Sequence, residues 1–442
     1  GTPNILPPEQ FSGIAAKLRA SFDLSACERH AIEIDPRLLT AEQAAAFALA
    51  GVNRVSLGVQ DFDPGVQDAI GRTQPFELVA SAVAMLRTAG IEALSFDLMY
   101  GLPKQTLETV RATAKQAVSL RPSRISVFGY AHVPWFKPRQ RLMDAEALPG
   151  AAERYDLAER IRTTLAEEGY VAIGYDHYAL PDDPIAVAAA DKTLARNFQG
   201  FVEADCDVLI GLGPSAISTL PQGYAQNETE VGAWRAAVTG GSFATRRGYA
   251  LTDQDRRRRA LIMRLLCDFE VDLASFGGAS AFAAELARLA PLQADGLVTI
   301  LGSRVAVPES ARPFARLAAQ AFDTSKLTAL TYDARGSVTD VTHAANLGHT
   351  QLTYNGAYEL TKLDRTRSSS IVDSWVLDRD GAGQLKTVTE PDGKRIQTWY
   401  DDLGRLAAKR VPDQVGLRFV RDQEGNVIGT IGPSQVQYTR DM

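Results

Sequence analysis

Cysteine is scarce in this sequence: 442 residues contain three, Cys27, Cys206 and Cys267, far apart and with no Cys-x-x-Cys or Cys/His spacing between them. Three buried thiols are expected, and no metal-ligand set is legible. Long apolar runs are also missing. No stretch of about 18 apolar residues occurs, and the first residues carry neither a basic segment nor an apolar one. Membrane crossing and secretion therefore have no support, and a cytoplasmic location is the expectation. The net charge is −6, and residues 325–442 hold 15 acidic and 15 basic side chains, so the acidic excess lies in residues 1–324. That balance makes nucleic acid a poor partner. Arg256–Arg259 beside Asp253 and Asp255 reads as an exposed basic helix face.

What is present, 45% hydrophobic residues, is enough for two or more cored domains. From residue 5 to about 220, β-rich runs alternate with helical stretches, the signature of βα units around a parallel sheet. Strands are expected at 31–35, 54–59, 94–99, 124–128, 171–175 and 207–211. Phe76, Val79, Val83 and Leu86 before Gly90, and Leu157, Ile161 and Leu165 before Gly169, mark the apolar faces of two helices. Thr40 with Gln43 fits a capping box. The chain enters on a helix, so a partial TIM-like barrel is expected, with its first strands upstream. Over 252–312 the pattern becomes helix, short helix, helix and a hairpin across Gly302, a winged-helix-like arrangement. The domains expected are 1–235, 236–324 and 325–442.

After Phe322 the composition turns to Tyr, Thr, Asp and Gly, and Asp-x-x-Gly-x-(Leu/Val) recurs. Copies stand at Tyr332-Asp333 with Gly336 and Val338, at Asp380 with Gly383 and Leu385, at Tyr400-Asp401 with Gly404 and Leu406, and at Asp422 with Gly425 and Val427; Tyr354-Asn355 is degenerate. The last three aspartates are 21 residues apart, and a Pro391-Asp392-Gly393 turn lies between two of them. Each unit reads as a hairpin, giving a small all-β repeat segment. The pattern resembles the YD or RHS repeats of bacterial surface and toxin proteins. Five copies are too few to close a shell, so no catalysis is assigned to them.

In a barrel, polar residues at the C-terminal strand ends line the site. Glu33 and Asp35 end the first visible strand, Gln60 and Asp61 follow the second, Asp97 interrupts an apolar third, and Tyr130-Ala131-His132 follow the fourth. Each alone caps a helix or pairs with a neighbour as readily as it binds a ligand. Placed together on one rim, they suit a polar ligand with hydroxyl and amine groups.

Longer strings make the reading specific: Gly-Thr-Pro at 1–3, IEIDPR (32–37), NRVSLGVQDFD (53–63), FDLMYGLPKQT (96–106), SVFGYAHVPWFKPRQR (126–141), GYDHYALPDD (174–183), RNFQGF (196–201), GLGPSAIS (211–218) and YAQN (224–227). In this order they resemble the oxygen-independent coproporphyrinogen III oxidases of the radical S-adenosylmethionine (SAM) superfamily, over almost all of residues 1–324. The 126–141 tract and the DH, RNFQG and YAQN strings favour the oxidase over its haem-chaperone relatives. Tyr175, Tyr178, Ala195 and Pro214 depart from the family pattern, Pro214 beside an expected nucleotide contact.

The resemblance implies a radical-SAM barrel that binds two SAM molecules. It places Glu33 and Ile217 at the one held on a four-iron, four-sulfur cluster, and Gly1, Thr2, Gln60, Arg72, Asp97 and Ala131 at the second. The family reaction forms a deoxyadenosyl radical that removes a propionate β-hydrogen, and decarboxylation then leaves a vinyl group. Coproporphyrinogen III and an electron donor are the implied partners, with Lys137, Arg139 and Arg141 as candidate carboxylate contacts and a monomer as the expected state. The cluster needs a Cys-x-x-x-Cys-x-x-Cys loop, which this sequence does not contain. The polypeptide is thus expected to be inert by itself. Two competing readings are a surface or interaction protein with a fused oxidase remnant, and an artefact of sequence assembly.

Overall fold

The computed structural model describes residues 2–134, 137–197, 200–203, 206, 208–323, 327–332, 338–343, 349–354, 360–367, 370–380, 384–400, 406–410, 417–421 and 427–431. The chain divides into two compact units, Gly1–Phe322 and Asp323–Met442.

Helix α1 (Pro8–Ser21) precedes a six-stranded sheet. Strands β1 (Ala31–Ile34), β2 (Arg54–Gln60), β3 (Ala93–Tyr100) and β4 (Arg124–Gly129) run parallel. Helix α2 (Ala41–Leu49) joins the first pair, α3 (Pro64–Ala69) and α4 (Phe76–Thr88) the second, and α5 (Leu107–Ser119) the third. The Thr40–Gln43 capping box starts α2 as expected, and equivalent boxes at Thr106–Thr109 and Thr252–Asp255 start two other helices. After α6 (Ala151–Glu167) the sheet changes sense. Strands β5 (Val171–Ile173) and β6 (His177–Ala179) form a hairpin whose second strand pairs antiparallel with β4, giving the order β1-β2-β3-β4-β6-β5.

This corrects the expectation of a parallel strand at 171–175. Gly174, at φ +61°, ends β5 early, and any Cβ there would lie 2.0 Å from the Phe201 ring. The strand expected at 207–211 is also absent among the described residues, where Leu209 makes only an isolated bridge to Thr219. Helix α7 (Pro184–Ala190), the hairpin of β7 (Ala195–Asn197) and β8 (Gly200–Val202), and the antiparallel sheet of β9 (Ile217–Leu220), β10 (Gly223–Asn227) and β11 (Thr245–Ala250) fill this region, with α8 (Val231–Thr239) between β10 and β11.

Helix α9 (Asp253–Cys267), β12 (Glu270–Asp272), α10 (Ala283–Ala294), β13 (Thr299–Leu301), β14 (Arg304–Ala306) and α11 (Ala315–Phe322) enclose a core that includes Leu261, Leu265, Leu289, Val305 and Phe322. The hairpin across Gly302 forms as read. The basic run on α9 is not wholly an exposed face: Arg258 is buried, donating to Glu285 at 2.6 Å and to the Phe322 carbonyl at 3.0 Å. Nor are all three thiols buried. Cys27 and Cys206 are exposed, and Cys267 is buried.

The second unit is a ten-stranded sheet in sequence order, every pairing antiparallel: β15 (Leu327–Tyr332), β16 (Val338–His343), β17 (His349–Tyr354), β18 (Leu360–Arg367), β19 (Ser370–Arg379), β20 (Leu385–Thr389), β21 (Arg395–Tyr400), β22 (Leu406–Arg410), β23 (Leu417–Arg421) and β24 (Val427–Ile431). Five hairpins repeat one geometry. Their closing pairs are Tyr332 with Val338, Tyr354 with Leu360, Arg379 with Leu385, Tyr400 with Leu406 and Arg421 with Val427, each next to a register shift. The loop residues Asp333, Gly336, Asn355, Gly383, Asp401, Gly404, Asp422 and Gly425 lie outside the described residues. The Pro391-Asp392-Gly393 turn is described: Gly393 has φ +80°, and Asp392 Oδ1 accepts from the Lys394 amide.

Candidate functional site

Alternation along β2, β3 and β4 gives the six-stranded sheet two unlike faces. One carries Val55, Leu57, Val59, Leu94, Phe96, Leu98 and Ile125, packed on Phe47, Val79, Val83, Leu86, Leu157, Ile161 and Leu165 from the helices. Each such Leu, Val or Phe contributes about 1.5–3 kcal/mol by burial. The other carries Glu33, Ser56, Ser95, Asp97, Ser126 and His177, aligned by the pairings Glu33–Ser56–Ser95 and Asp97–Ser126–His177.

At the N-terminal strand ends the charges on this polar face pair with each other. Arg54 and Arg124 both bind Asp183, at 3.3 and 2.7 Å, while Arg124 and Arg29 bind Glu203. Burial pushes Asp183 up, but the Arg124 hydrogen bond and the Ile185 amide outweigh it and hold the carboxyl below its usual range.

At the C-terminal ends the bonding is incomplete. A register shift between Gly58 and Gln60 turns the end of β2, and Gln60 adopts φ +67°, a left-handed conformation costly for a residue with a Cβ. Its amide lies so close over Gly58 that a Cβ there would stand 2.8 Å from Nε2. The Gly58 carbonyl accepts from Arg72 Nη2 at 3.0 Å and from Gln74 Nε2 at 3.1 Å. Around this one carbonyl, Gln60 Oε1, Arg72 Nε and Gln74 Oε1 are buried without a hydrogen-bond partner. Single atoms of this kind occur elsewhere among the described residues, such as Arg196 Nε and Asp268 Oδ1, but three around one carbonyl make this rim the candidate place for a ligand. Asp35 sits beside them, 3.5 Å from Arg72 and held bidentately by Arg37; that hydrogen bond, chiefly, keeps its carboxyl below the usual range.

Thr2 reaches the same rim through Asn4, whose buried side chain donates to the Asp35 carbonyl at 2.7 Å and accepts from the Asp35 amide at 3.1 Å. Gln43 fastens the segment by donating to the carbonyls of Asn4 and Leu6. Asp97 lies deeper on the polar face. Burial pushes its carboxyl up to about 6; a Ser56 hydroxyl at 3.2 Å opposes the rise, and Glu33 adds to it.

The structure thus gathers Gln60 and Arg72 at one rim, anchors the segment that follows Thr2 to Asp35 beside them, and sets Glu33 near Asp97 on the same face. Ile217 belongs to a separate sheet, on β9 paired with β10. Ala131, Lys137 and Arg141 share the loop after β4, which Gln140 ties by accepting from the Val133 amide and donating to the Ala131 carbonyl. Gly1 and the Arg139 side chain lie outside what is described. Asp61 leaves the candidate set: it is 1% exposed and accepts from the Asp63 amide, Gln105 and Thr113, bracing α5 and the turn after β2. Asn4, Gln74 and Gln140 gave no signal because none stands at a strand end, where Gln60 was legible.

A SAM molecule suits this rim, where carboxylate, guanidinium and unpaired amide oxygen match its ribose and amino-acid groups. An iron–sulfur cluster does not suit the cysteines present: Cys27 bonds the Arg29 carbonyl, Cys267 packs beside Met263, and no group of three or more His, Cys, Asp or Glu among the described residues could hold a metal.

Comparison with known proteins identifies the family. The radical SAM superfamily model matches residues 1–117, and the HemN C-terminal domain model matches residues 251–314. The oxygen-independent coproporphyrinogen III oxidase of Bradyrhizobium diazoefficiens is 48% identical over 328 residues, 73% of this chain and 73% of that protein. Its Escherichia coli counterpart is 38% identical over 330 residues, 73% and 72% of the two chains. A solved structure of the Escherichia coli coproporphyrinogen III oxidase, a radical SAM enzyme, superposes with a TM-score of 0.70 at 37% identity, covering 73% of this chain and 76% of that one. On these grounds the chain belongs to the oxygen-independent coproporphyrinogen III oxidase family of radical SAM enzymes.

Proposed function

We propose that residues 1–324 hold SAM and coproporphyrinogen III on the polar face of the six-stranded sheet, an arc of a TIM-like barrel, with residues 236–324 as a helical, winged-helix-like domain. The orphaned atoms around the Gly58 carbonyl carry the reading. Thr2, Gln60, Arg72, Asp97 and Ala131, with Gly1 ahead of them, contact one SAM molecule; Glu33 and Ile217 contact another. Arg72 meets the amino-acid carboxylate, and Asp97 accepts from ribose hydroxyls. Lys137, Arg139 and Arg141 take porphyrinogen carboxylates. When bound, SAM supplies the hydrogen-abstracting chemistry that the family directs at a propionate side chain. The cysteines among the described residues do not fit the cluster, and none of them is assigned to it. Its location is cytoplasmic, its state monomeric, and an external electron donor completes the reaction.

Isothermal titration with SAM tests the binding claim. Saturable binding by the full chain, lost in Arg72→Ala, is expected; equal affinity in both would sink it. Iron and sulfide analysis after anaerobic reconstitution tests the rest, and a stoichiometric four-iron cluster would refute it. We further propose that residues 325–442 are YD/RHS-type repeats, supported by the five hairpins that share the spacing of their closing pairs and the adjoining register shift.

A further inference from the structure

His177 takes part in none of the contacts assigned above, yet it is held on the ligand-facing side of the sheet. Strand β6 places it in the row that starts at Asp97 on β3 and passes through Ser126 on β4. Its ring is constrained from several directions. Nδ1 lies 2.6 Å from Asp176 Oδ1, and Phe128 and Phe201 meet the ring edge-on, with centroids 6.0 and 5.3 Å away. Gly200, at φ +131°, passes so close that a Cβ would stand 2.9 Å from Nε2. Such a clamp fixes the direction of both ring nitrogens.

Asp97 needs the help. Burial is the main force against its charge, and Glu33 adds to it; Ser56, His177 and Ser126 act in the opposite direction. The groups facing the pair are Glu33 from β1, Ser56 from β2, Ser126 from β4 and Asp176 beside His177; Phe128 and Phe201 are uncharged walls. We propose that His177, oriented by Asp176, is a positioning residue that keeps the Asp97 carboxylate in its acceptor form toward the ribose hydroxyls of bound SAM. This rests on the reading of Asp97 as a SAM contact.

Two measurements on the full chain separate the two ideas. The infrared carboxylic-acid band that vanishes in Asp97→Asn, titrated without ligand from roughly pH 4.5 to 8, reports the Asp97 proton directly. Its midpoint is expected to rise by about half to one pH unit in His177→Asn, and by less in Asp176→Asn. SAM affinity followed over the same range should then fail at a correspondingly higher pH in His177→Asn while matching wild type at the alkaline end, a shift that a merely structural defect does not produce. An unmoved infrared midpoint overturns the proposal. Unchanged SAM affinity in Asp97→Asn overturns instead the ribose contact, and with it the role assigned to His177. If His177→Asn does not fold, the midpoint in Asp176→Asn decides: an upward shift supports the proposal, and no shift overturns it.

Discussion

At the N-terminal ends of the strands Arg54 and Arg124 share Asp183, whereas at the C-terminal ends of the same sheet face Gln60, Arg72 and Gln74 each keep one buried polar atom unbonded. Both ends hold arginine beside a carboxylate, Arg54 and Arg124 with Asp183 at one and Arg72 with Asp35 at the other. What separates them is partnership: α7 brings Asp183, its own N-cap, to the first end, while the second is bent by a bulge and a left-handed Gln60. Buried charges that pair internally are costly to separate, and polar atoms held open are available to a ligand.

The largest test of this contrast is Asp183→Ala. It leaves two buried arginines without their shared partner and is expected to cost about 3–5 kcal/mol in chemical denaturation, with SAM affinity of the folded protein unchanged. The pH dependence follows the same logic. Asp183, with its folded pKa depressed, contributes stability above the unfolded value of about 4, and that contribution is lost as pH falls through the lower folded value.

Arg72→Ala should do the opposite at the other end, lowering SAM affinity by about tenfold to a hundredfold, as loss of a charge-assisted bond implies, with little change in the denaturation midpoint. Asp97→Asn sharpens the comparison further. A carboxyl raised to about 6 binds more protons folded than unfolded between about pH 4 and 6, so its ionisation makes stability fall as pH rises through that window. Removing it is expected to raise the melting temperature at pH 7 while weakening SAM binding. The smallest effect belongs to Gln60→Gly. Relief at φ +67° should add up to about 1 kcal/mol of stability, again at the expense of binding. A stability loss in either of these last two variants would break the distinction between the two ends.

Much of the first unit was legible because its signals are local. Phe76, Val79, Val83 and Leu86 repeat at helical spacing and share one buried face, and the Thr40–Gln43 cap needs only three residues. Asp97 stood out as a carboxylate in an apolar strand. The 171–211 region defeated the same approach, since short antiparallel strands such as 177–179 and 195–197 are too brief to show a period, and 177–179 joins the sheet through β4, distant in sequence. The exposed-face reading of Arg256–Arg259 failed at Arg258 for a related reason: its partner Glu285 lies on another helix. In the second unit, the recurrence of Tyr, Asp, Gly and Leu announced hairpins, since each closes over neighbouring residues.

Periodicity, caps and repeated strings are properties of neighbouring residues, so the sequence by itself determined the helices, the four parallel strands, the hairpin repeats and the family. Only the tertiary structure decided which polar residues on one sheet face pair with each other and which stay open. That choice depends on chain segments far apart, Asp183 reaching Arg54 and Asn4 reaching Asp35, whose meeting is set by packing rather than by adjacency.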